Sequence, residues 1–268
     1  MPALWHRQQH ILEIAGEGPL PESAVIGNSS PSLAFLHTRR DTCVRTGHNQ
    51  TMERVEEYLK ATKLCDFDTC APIRSRASRL TEGCEANQQK FQSVYNFVRE
   101  LPYGLEDWDV RASETLKKGW GMCCGKTNLL VAMSRALSIP ARYRIFKIKA
   151  ERRLLKQVME QNKSVAAQFG DLPPLQDHVQ CEAYLGRWQV YDPSRDSGFE
   201  NGLRKLGIPL ERVPVADAQG AVNYEILASI DDWARARQND RKVREDRELL
   251  FARVNVELDK VRRVGRRP

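Results

Sequence analysis

The sequence predicts an α+β domain, and three observations carry that prediction. Helical patterns fill the first half of the chain, strand-like patterns follow, and the regular strand–helix alternation of a parallel sheet is missing. The 268 residues are 41% hydrophobic and 29% charged, which excludes collagen, low-complexity polymer and bulk disorder. Enough apolar material is therefore present for one sizeable core.

Residues 1–51 differ from the rest of the chain. They contain four of the five histidines and many Gly, Pro and Ser residues, without a sustained period of 3.6 or 2. We expect a poorly ordered extension over 1–51, a folded domain over 52–229 and a charged helical tail over 230–268. Met52 begins the first helical pattern, with Val55, Tyr58 and Leu59 on one stripe.

Helical periodicity recurs up to the middle of the chain. It predicts helices over 73–80 and 87–101, and a short helical turn over 113–116 that Ser113 would cap. After the break Gly119-Trp120-Gly121, a helix over 123–137 is apolar nearly all round, which is typical of a buried central helix.

Strand patterns follow Pro140. They predict a strand over 142–149, a helical insertion over 151–169 and a β-hairpin over 177–192. The remainder is predicted as loop up to the helical tail, which begins near Ile230. We thus expect the buried helix to pack on an antiparallel sheet.

Composition also narrows the function. No apolar run approaches the ~20 residues that a membrane span requires, and the first residues do not predict a secretory signal, so we expect a cytoplasmic protein that does not bind membranes. The net charge of +7 raises nucleic acid as a partner, but +4 of it lies after residue 230, where both signs alternate. That pattern favours a solvated helix, and nucleic-acid binding is not expected.

The seven cysteines indicate neither disulfides nor zinc. Their number is odd and their spacing scattered, and Cys65, Cys70 and Cys84 lack the paired spacing of a tetrahedral zinc site. We expect reduced thiols, and no metal or organic cofactor.

One cysteine pair stands where a thiol could be activated. Cys123 and Cys124 begin the buried helix, where free N–H groups and the helix dipole favour a thiolate and could hold an oxyanion. Gly121 and Gly125 would let a substrate backbone approach. Small buried residues also begin ordinary core helices, so this feature alone leaves function and structure open.

The hairpin supplies a possible base. His178 is the only histidine after residue 51, and Asp192 could orient its ring, although a lone histidine and an Asp before Pro193 are also common structural residues. Side chains alternate along strands, so a two-residue turn would put the pair on opposite faces. A three-residue connection that pairs Tyr184 with Trp188 puts both on one face, and it places Cys181 in the core.

These residues resemble the transglutaminase-like superfamily. Its pattern G-x-C … L-R-A-x-G-I-P-A-R is similar to Gly121-x-Cys123 followed by 134–142, with the same cysteine-to-arginine spacing. Its pattern H-x-W-x-E … W-x-x-x-D-P-T is similar to 178–182 followed by 188–194. Ser138 departs from the family's glycine, at a cost of up to ~1 kcal/mol if its backbone is left-handed.

The resemblance implies a papain-like fold and a catalytic triad of Cys123, His178 and Asp192. Trp108, Tyr103 and Trp120 are candidate oxyanion or substrate-binding residues, although packing is the commoner role for aromatic residues such as Trp108 and Tyr103. We expect amide hydrolysis or acyl transfer through a thioester on Cys123, with a protein or peptide substrate. The alternative is a non-catalytic scaffold of this fold that binds a protein partner.

Overall fold

In the computed structural model, helices precede the first strand. The structure describes residues 55–149, 175–208, 210, 212–238 and 241–267, and these residues belong to one compact unit. The helices of the first half are α1 Ala71–Leu80, α2 Asn87–Glu100, α3 Ala112–Lys118 and α4 Cys123–Ala136. They confirm the predicted helices to within a few residues. The helix predicted from Met52 is helical only at 55–57 among the described residues, and 52–54 lie outside them.

The predicted cap of α3 was wrong. Arg111 is the N-cap residue, and the Ser113 hydroxyl instead donates to Asp66 Oδ2 over 2.5 Å. The Ser113 N–H donates to the other carboxylate oxygen of Asp66 over 3.0 Å. Asp66 therefore ties the first turn of α3 to the preceding loop.

Helix α4 is the centre of the core. Residues 123–135 of α4 are all buried, and the helix packs against α1, α2, α3 and two strands of the sheet. Ser138, just after α4, has φ +59°, so it occupies the left-handed conformation that the family pattern gives to glycine. The Ile139 N–H returns to the Ser134 carbonyl over 2.9 Å, which closes the helix end despite the missing glycine.

The sheet is antiparallel with strand order β3-β2-β1-β4. Its strands are β1 Ala141–Lys149, β2 Leu175–Tyr184, β3 Trp188–Tyr191 and β4 Glu225–Leu227. One face of β1 and β2 packs on α4 through Tyr143, Val179 and Cys181, all fully buried. The helical insertion predicted over 151–169 lies outside the described residues.

The predicted hairpin register is confirmed. Tyr184 pairs with Trp188 and Cys181 with Tyr191, so the connection has three residues, and Gly186 within it has φ +82°. Cys181 faces the core, as predicted. Asp192 follows β3 directly and lies diagonal to His178. The register puts both residues on the face of the sheet opposite Cys181.

Residues 197–205 form a helix, which corrects the prediction of loop there. The C-terminal helices are α5 Ser197–Lys205, α6 Asp231–Arg235 and α7 Arg241–Arg266. A second apolar cluster forms where α7 packs on α5: Phe199, Leu203, Ile208, Val254, Leu258 and Val261. A side chain at Gly202 would begin 2.1 Å from the Val261 carbonyl oxygen, so glycine permits this close crossing.

None of the helices within the described ranges combines the length and the apolar character needed to cross a bilayer.

Candidate active site

Cys123 is the first residue of α4, and its neighbours fix the start of that helix. The N-cap residue Met122 donates its N–H to Glu106 Oε1 over 2.8 Å. One turn further on, the Thr127 hydroxyl donates to the Val179 carbonyl over 3.1 Å. Because Val179 follows His178, this bond brings the beginning of α4 against the strand that carries the histidine.

The two adjacent cysteines differ in their surroundings. Cys123 is 6% exposed, and its side chain is close enough to His178 to raise the pKa of that ring. Cys124 is fully buried and contacts the Trp108 carbonyl over 3.4 Å. Burial raises the pKa of the Cys124 thiol well above its ordinary value, so Cys124 stays a neutral core residue.

His178 and Asp192 form a direct pair. His178 Nε2 lies 2.7 Å from Asp192 Oδ2, and the His178 side chain is almost fully buried. Burial alone would lower the pKa of His178, but the Asp192 carboxylate outweighs it and raises the pKa. The Cys123 side chain also raises the pKa of His178, whereas the guanidinium of Arg212 lowers it. The net effect favours an imidazolium ring beside the thiol.

The Asp192 carboxylate is held by further donors. Asp192 Oδ1 accepts from the Ser194 N–H over 3.0 Å and from the Ser194 hydroxyl over 2.5 Å. Burial would raise the pKa of Asp192, but His178 and then Arg212 outweigh it and hold the pKa well below its ordinary value. Asp192 is therefore a fixed, ionised carboxylate at neutral pH.

Glu106 occupies the space that we expected a substrate to use. A Cβ atom added at Gly125 would lie 2.3 Å from Glu106 Oε1, and a Cβ atom added at Gly121 would lie 3.0 Å from the same oxygen. The two glycines therefore make room for this buried carboxylate, which also pairs with Lys118. Burial raises the pKa of Glu106, and the Lys118 ammonium opposes that rise.

A buried lysine joins three parts of the site. Lys126 Nζ donates to the Arg99, Leu101 and Ser194 carbonyls over 2.9, 2.6 and 3.2 Å. Three carbonyls match the three donors of an ammonium group. Burial lowers the pKa of Lys126 to about 7. This contact links the cysteine helix to the end of α2 and to the segment that carries Asp192.

The three aromatic candidates pack around the site. Trp108 meets Trp233 edge to face at 5.1 Å and contacts α4 through Cys124. Tyr103 stacks on Phe199, with ring centroids 5.9 Å apart, and its N–H donates to Asp196. The Trp120 ring lies under the Lys118 ammonium at 4.6 Å. These contacts are packing contacts, and a role in binding an oxyanion or a substrate remains a prediction.

Three residues of the site were missed by sequence reasoning: Glu106, Lys126 and Arg212. Lys126 carried a usable signal, because a charged residue within an otherwise apolar helix must find buried partners. Glu106 and Arg212 lie in irregular segments without periodicity, so no pattern in the sequence indicated them.

Among the described residues, no group of three or more His, Cys, Asp or Glu side chains could hold a metal ion.

Comparisons with known proteins give a family for the central part of the chain. Residues 74–193 match the model of the transglutaminase-like superfamily. No curated protein matches the chain. A solved structure from Cytophaga hutchinsonii, described as a "putative cysteine protease", is 23% identical with a TM-score of 0.40; the match covers 66% of this chain and 52% of that one. The chain thus spans about half the length of that protein.

The matched range contains the cysteine helix, the histidine strand and Asp192, together with the antiparallel strands β1 to β3. Its helices precede a sheet that packs on a buried helix, which is the papain-like α+β arrangement. Residues 74–193 are thus similar to the transglutaminase-like superfamily.

Proposed function

We propose that this protein is a cysteine hydrolase that cleaves an amide bond of a protein or peptide through a thioester on Cys123. His178 would move the proton, and Asp192 would hold the ring in one tautomer. One observation carries the proposal: His178 Nε2 lies 2.7 Å from Asp192 Oδ2, and the Cys123 side chain is close enough to the same ring to raise its pKa. The superfamily match supports cysteine-dependent amide chemistry at the family level.

The first half-reaction forms the thioester. The Cys123 thiolate attacks the carbonyl carbon, a C–S bond forms, and the carbonyl electron pair moves onto oxygen. Within the described ranges no group accepts a hydrogen bond from the Cys123 N–H, so this N–H would donate to the oxyanion. The oxyanion then collapses, the C–N bond breaks, and the imidazolium of His178 gives its proton to the leaving amine.

The second half-reaction releases the acid. Neutral His178 takes a proton from water, the resulting hydroxide oxygen attacks the thioester carbonyl, and the C–S bond breaks. An amine in place of water would give acyl transfer instead. The sequence contains no feature that indicates a channel for a lysine side chain, and we therefore propose water as the acceptor.

Selective alkylation tests this proposal without knowledge of the substrate. Iodoacetamide at pH 6 should label Cys123 faster than every other cysteine, because a thiolate beside an imidazolium reacts where ordinary thiols are protonated. His178→Ala should slow this labelling on the order of tenfold or more. The measurement is the labelling rate of each cysteine by mass spectrometry.

The chain contains its own controls. Among the described residues, Cys70 and Cys84 are half-buried thiols outside the His178 site and serve as reference cysteines, whereas fully buried Cys124 should stay unlabelled in the folded protein. Uniform slow labelling of all described cysteines, unchanged by His178→Ala, would contradict the hydrolase and favour the non-catalytic scaffold.

A further inference from the structure

A guanidinium group lies against the His178–Asp192 pair. Arg212 Nη1 is 2.7 Å from Asp192 Oδ2, 2.6 Å from the Ser194 hydroxyl and 3.4 Å from His178 Nε2. The Arg212 side chain is 15% exposed, so this cation is largely shielded from water. It approaches the same carboxylate oxygen that receives the histidine.

The backbone on both sides of Arg212 is held by neighbouring segments. The segment after it runs along β1: the Lys149 N–H donates to the Val213 carbonyl over 3.0 Å, and the Val215 N–H donates to the Lys147 carbonyl over 2.9 Å. The neighbouring β1 residue Phe146 pairs with His178 across the sheet. The two backbone hydrogen bonds place 213–215 on the edge of β1 away from β2, and the contact of Arg195 with the Leu210 carbonyl holds the chain before Arg212 near Ser194.

The donors around Asp192 define the state of the ring. Oδ2 accepts from His178 and from Arg212, while Oδ1 accepts twice from Ser194. His178 Nε2 and Arg212 Nη1 both donate to Asp192 Oδ2. The 3.4 Å between these two nitrogens is therefore a contact between two donors and not a hydrogen bond. The hydrogen of the neutral ring therefore sits on Nε2, and Nδ1 is left as the acceptor nitrogen.

We propose that Arg212 is a positioning residue of the hydrolase, which fixes the Asp192 carboxylate and limits how strongly Asp192 holds a proton on His178. This inference rests on the proposed function. A carboxylate that shares its charge with a guanidinium attracts the imidazolium less, and the guanidinium itself repels it. His178 can then release its proton to the leaving amine more readily.

The charged and titratable groups that face His178 support this direction. They are the Asp192 carboxylate, the Cys123 thiol and the Arg212 guanidinium, while the Phe146 ring meets the imidazole edge to face at 5.4 Å. Asp192 and Cys123 raise the pKa of His178, and among these groups Arg212 alone lowers it. Loss of the Arg212 charge should therefore raise the pKa of His178.

The test is an NMR titration of the His178 ring in full-length protein. It is done in a Cys123→Ala background, so that the imidazole titrates without a coupled thiol, and the His178 signal is assigned by its loss in His178→Gln. Arg212→Gln should raise the pKa of His178 by about one unit. Arg212→Lys, which keeps the charge, should restore most of the original value.

Matched variants separate this effect from others. Arg204→Gln removes one charge from the exposed side of α5 and should leave the His178 titration unchanged. Arg212→Met replaces Arg212→Gln if the latter does not fold. An unchanged pKa in the folded Arg212 variants would overturn the proposal, and so would unfolding of both, because Arg212 would then be a structural residue.

The outcome is distinguishable from failure of the hydrolase itself. Selective alkylation of Cys123 that depends on His178, together with an Arg212→Gln titration that overlays the parent, would keep the proposed function and reject the role of Arg212. Absence of selective alkylation would reject both.

Discussion

Replacement of Asp192 by asparagine should slow the alkylation of Cys123 at pH 6 by roughly tenfold to hundredfold. Asp192 raises the pKa of His178 against the opposing effects of burial and of Arg212. With a neutral amide at this position, those two effects remain and the ring loses its proton at lower pH. The imidazolium that stabilises the thiolate would then be absent at pH 6. Turnover of any amide substrate should fall by about 10²–10⁴, the usual contribution of acid–base catalysis.

The measurement is the rate constant of Cys123 alkylation across pH in the wild type and in Asp192→Asn. Asp177→Asn is the matched control, because Asp177 precedes His178 in sequence but pairs with Lys147 and Arg237. Asp177→Asn also removes one negative charge, and we expect the rate of Cys123 alkylation to depend on pH as it does in the wild type. Equal profiles for Asp192→Asn and the wild type would contradict the assigned role of Asp192.

A double variant links this prediction to Arg212. In Asp192→Asn, the guanidinium loses a carboxylate partner and its charge continues to disfavour protonation of His178. Removal of that charge in Asp192→Asn/Arg212→Gln should therefore recover part of the alkylation rate at pH 6, and a double variant no faster than Asp192→Asn would contradict this repulsion.

Replacement of Arg262 by methionine should lower the free energy of unfolding by about 3–5 kcal/mol, the usual cost of breaking a buried ion pair from one side. Arg262, on α7, binds both carboxylate oxygens of Asp196 over 2.9 Å. Both side chains are almost fully buried. Arg262 also donates to the Tyr103 carbonyl, so the substitution frees the loop that precedes the cysteine helix.

Urea unfolding measures this effect. Arg263→Met, on the exposed side of the same helix, should change the free energy of unfolding by less than about 0.5 kcal/mol. Arg262→Met combined with Asp196→Asn should recover part of the loss, because no uncompensated charge is then buried. A loss no greater for Arg262→Met than for Arg263→Met would contradict the buried pair.

The free energy of unfolding that is lost in Arg262→Met should decrease as the pH falls. Burial would raise the pKa of Asp196, but the hydrogen bond and charge of Arg262, together with the N–H groups of Tyr103 and Phe199, outweigh burial and lower the pKa. The ion pair therefore stabilises the fold above the ordinary Asp value of about 3.9 and loses this contribution as the pH falls through the lower folded value. The difference between wild type and Arg262→Met should shrink at acid pH.

The geometry of the hairpin was predictable because strand side chains alternate with a period of two. For His178 and Asp192 to share a face, the connection between their strands had to have an odd length, and Gly186 could adopt the left-handed conformation that such a loop uses. The position of the thiol followed from the family resemblance rather than from helix geometry, since Cys123 and Cys124 both lie in the first turn of α4.

The C-terminal segment was harder to predict. Its interleaved charges indicated a solvated helix, and the i,i+4 pair of Arg244 with Glu248 agrees with that reading. The apolar stripe of Val254, Leu258 and Val261 was nevertheless visible in the sequence, and these residues are buried against α5. Burial of Arg262 was not predictable, because its partner Asp196 is distant in sequence and only the fold brings them together.

Cross-linking with 1,3-dibromoacetone tests most directly whether the Cys123 sulfur lies beside the His178 ring. The reagent has two reactive carbons on a three-carbon chain, so it joins only nucleophiles a few ångströms apart. We expect one intramolecular bridge, from Cys123 to His178, identified as a linked peptide pair by mass spectrometry. Bridging of Cys123 to another cysteine, or single alkylation without a bridge, would contradict the account.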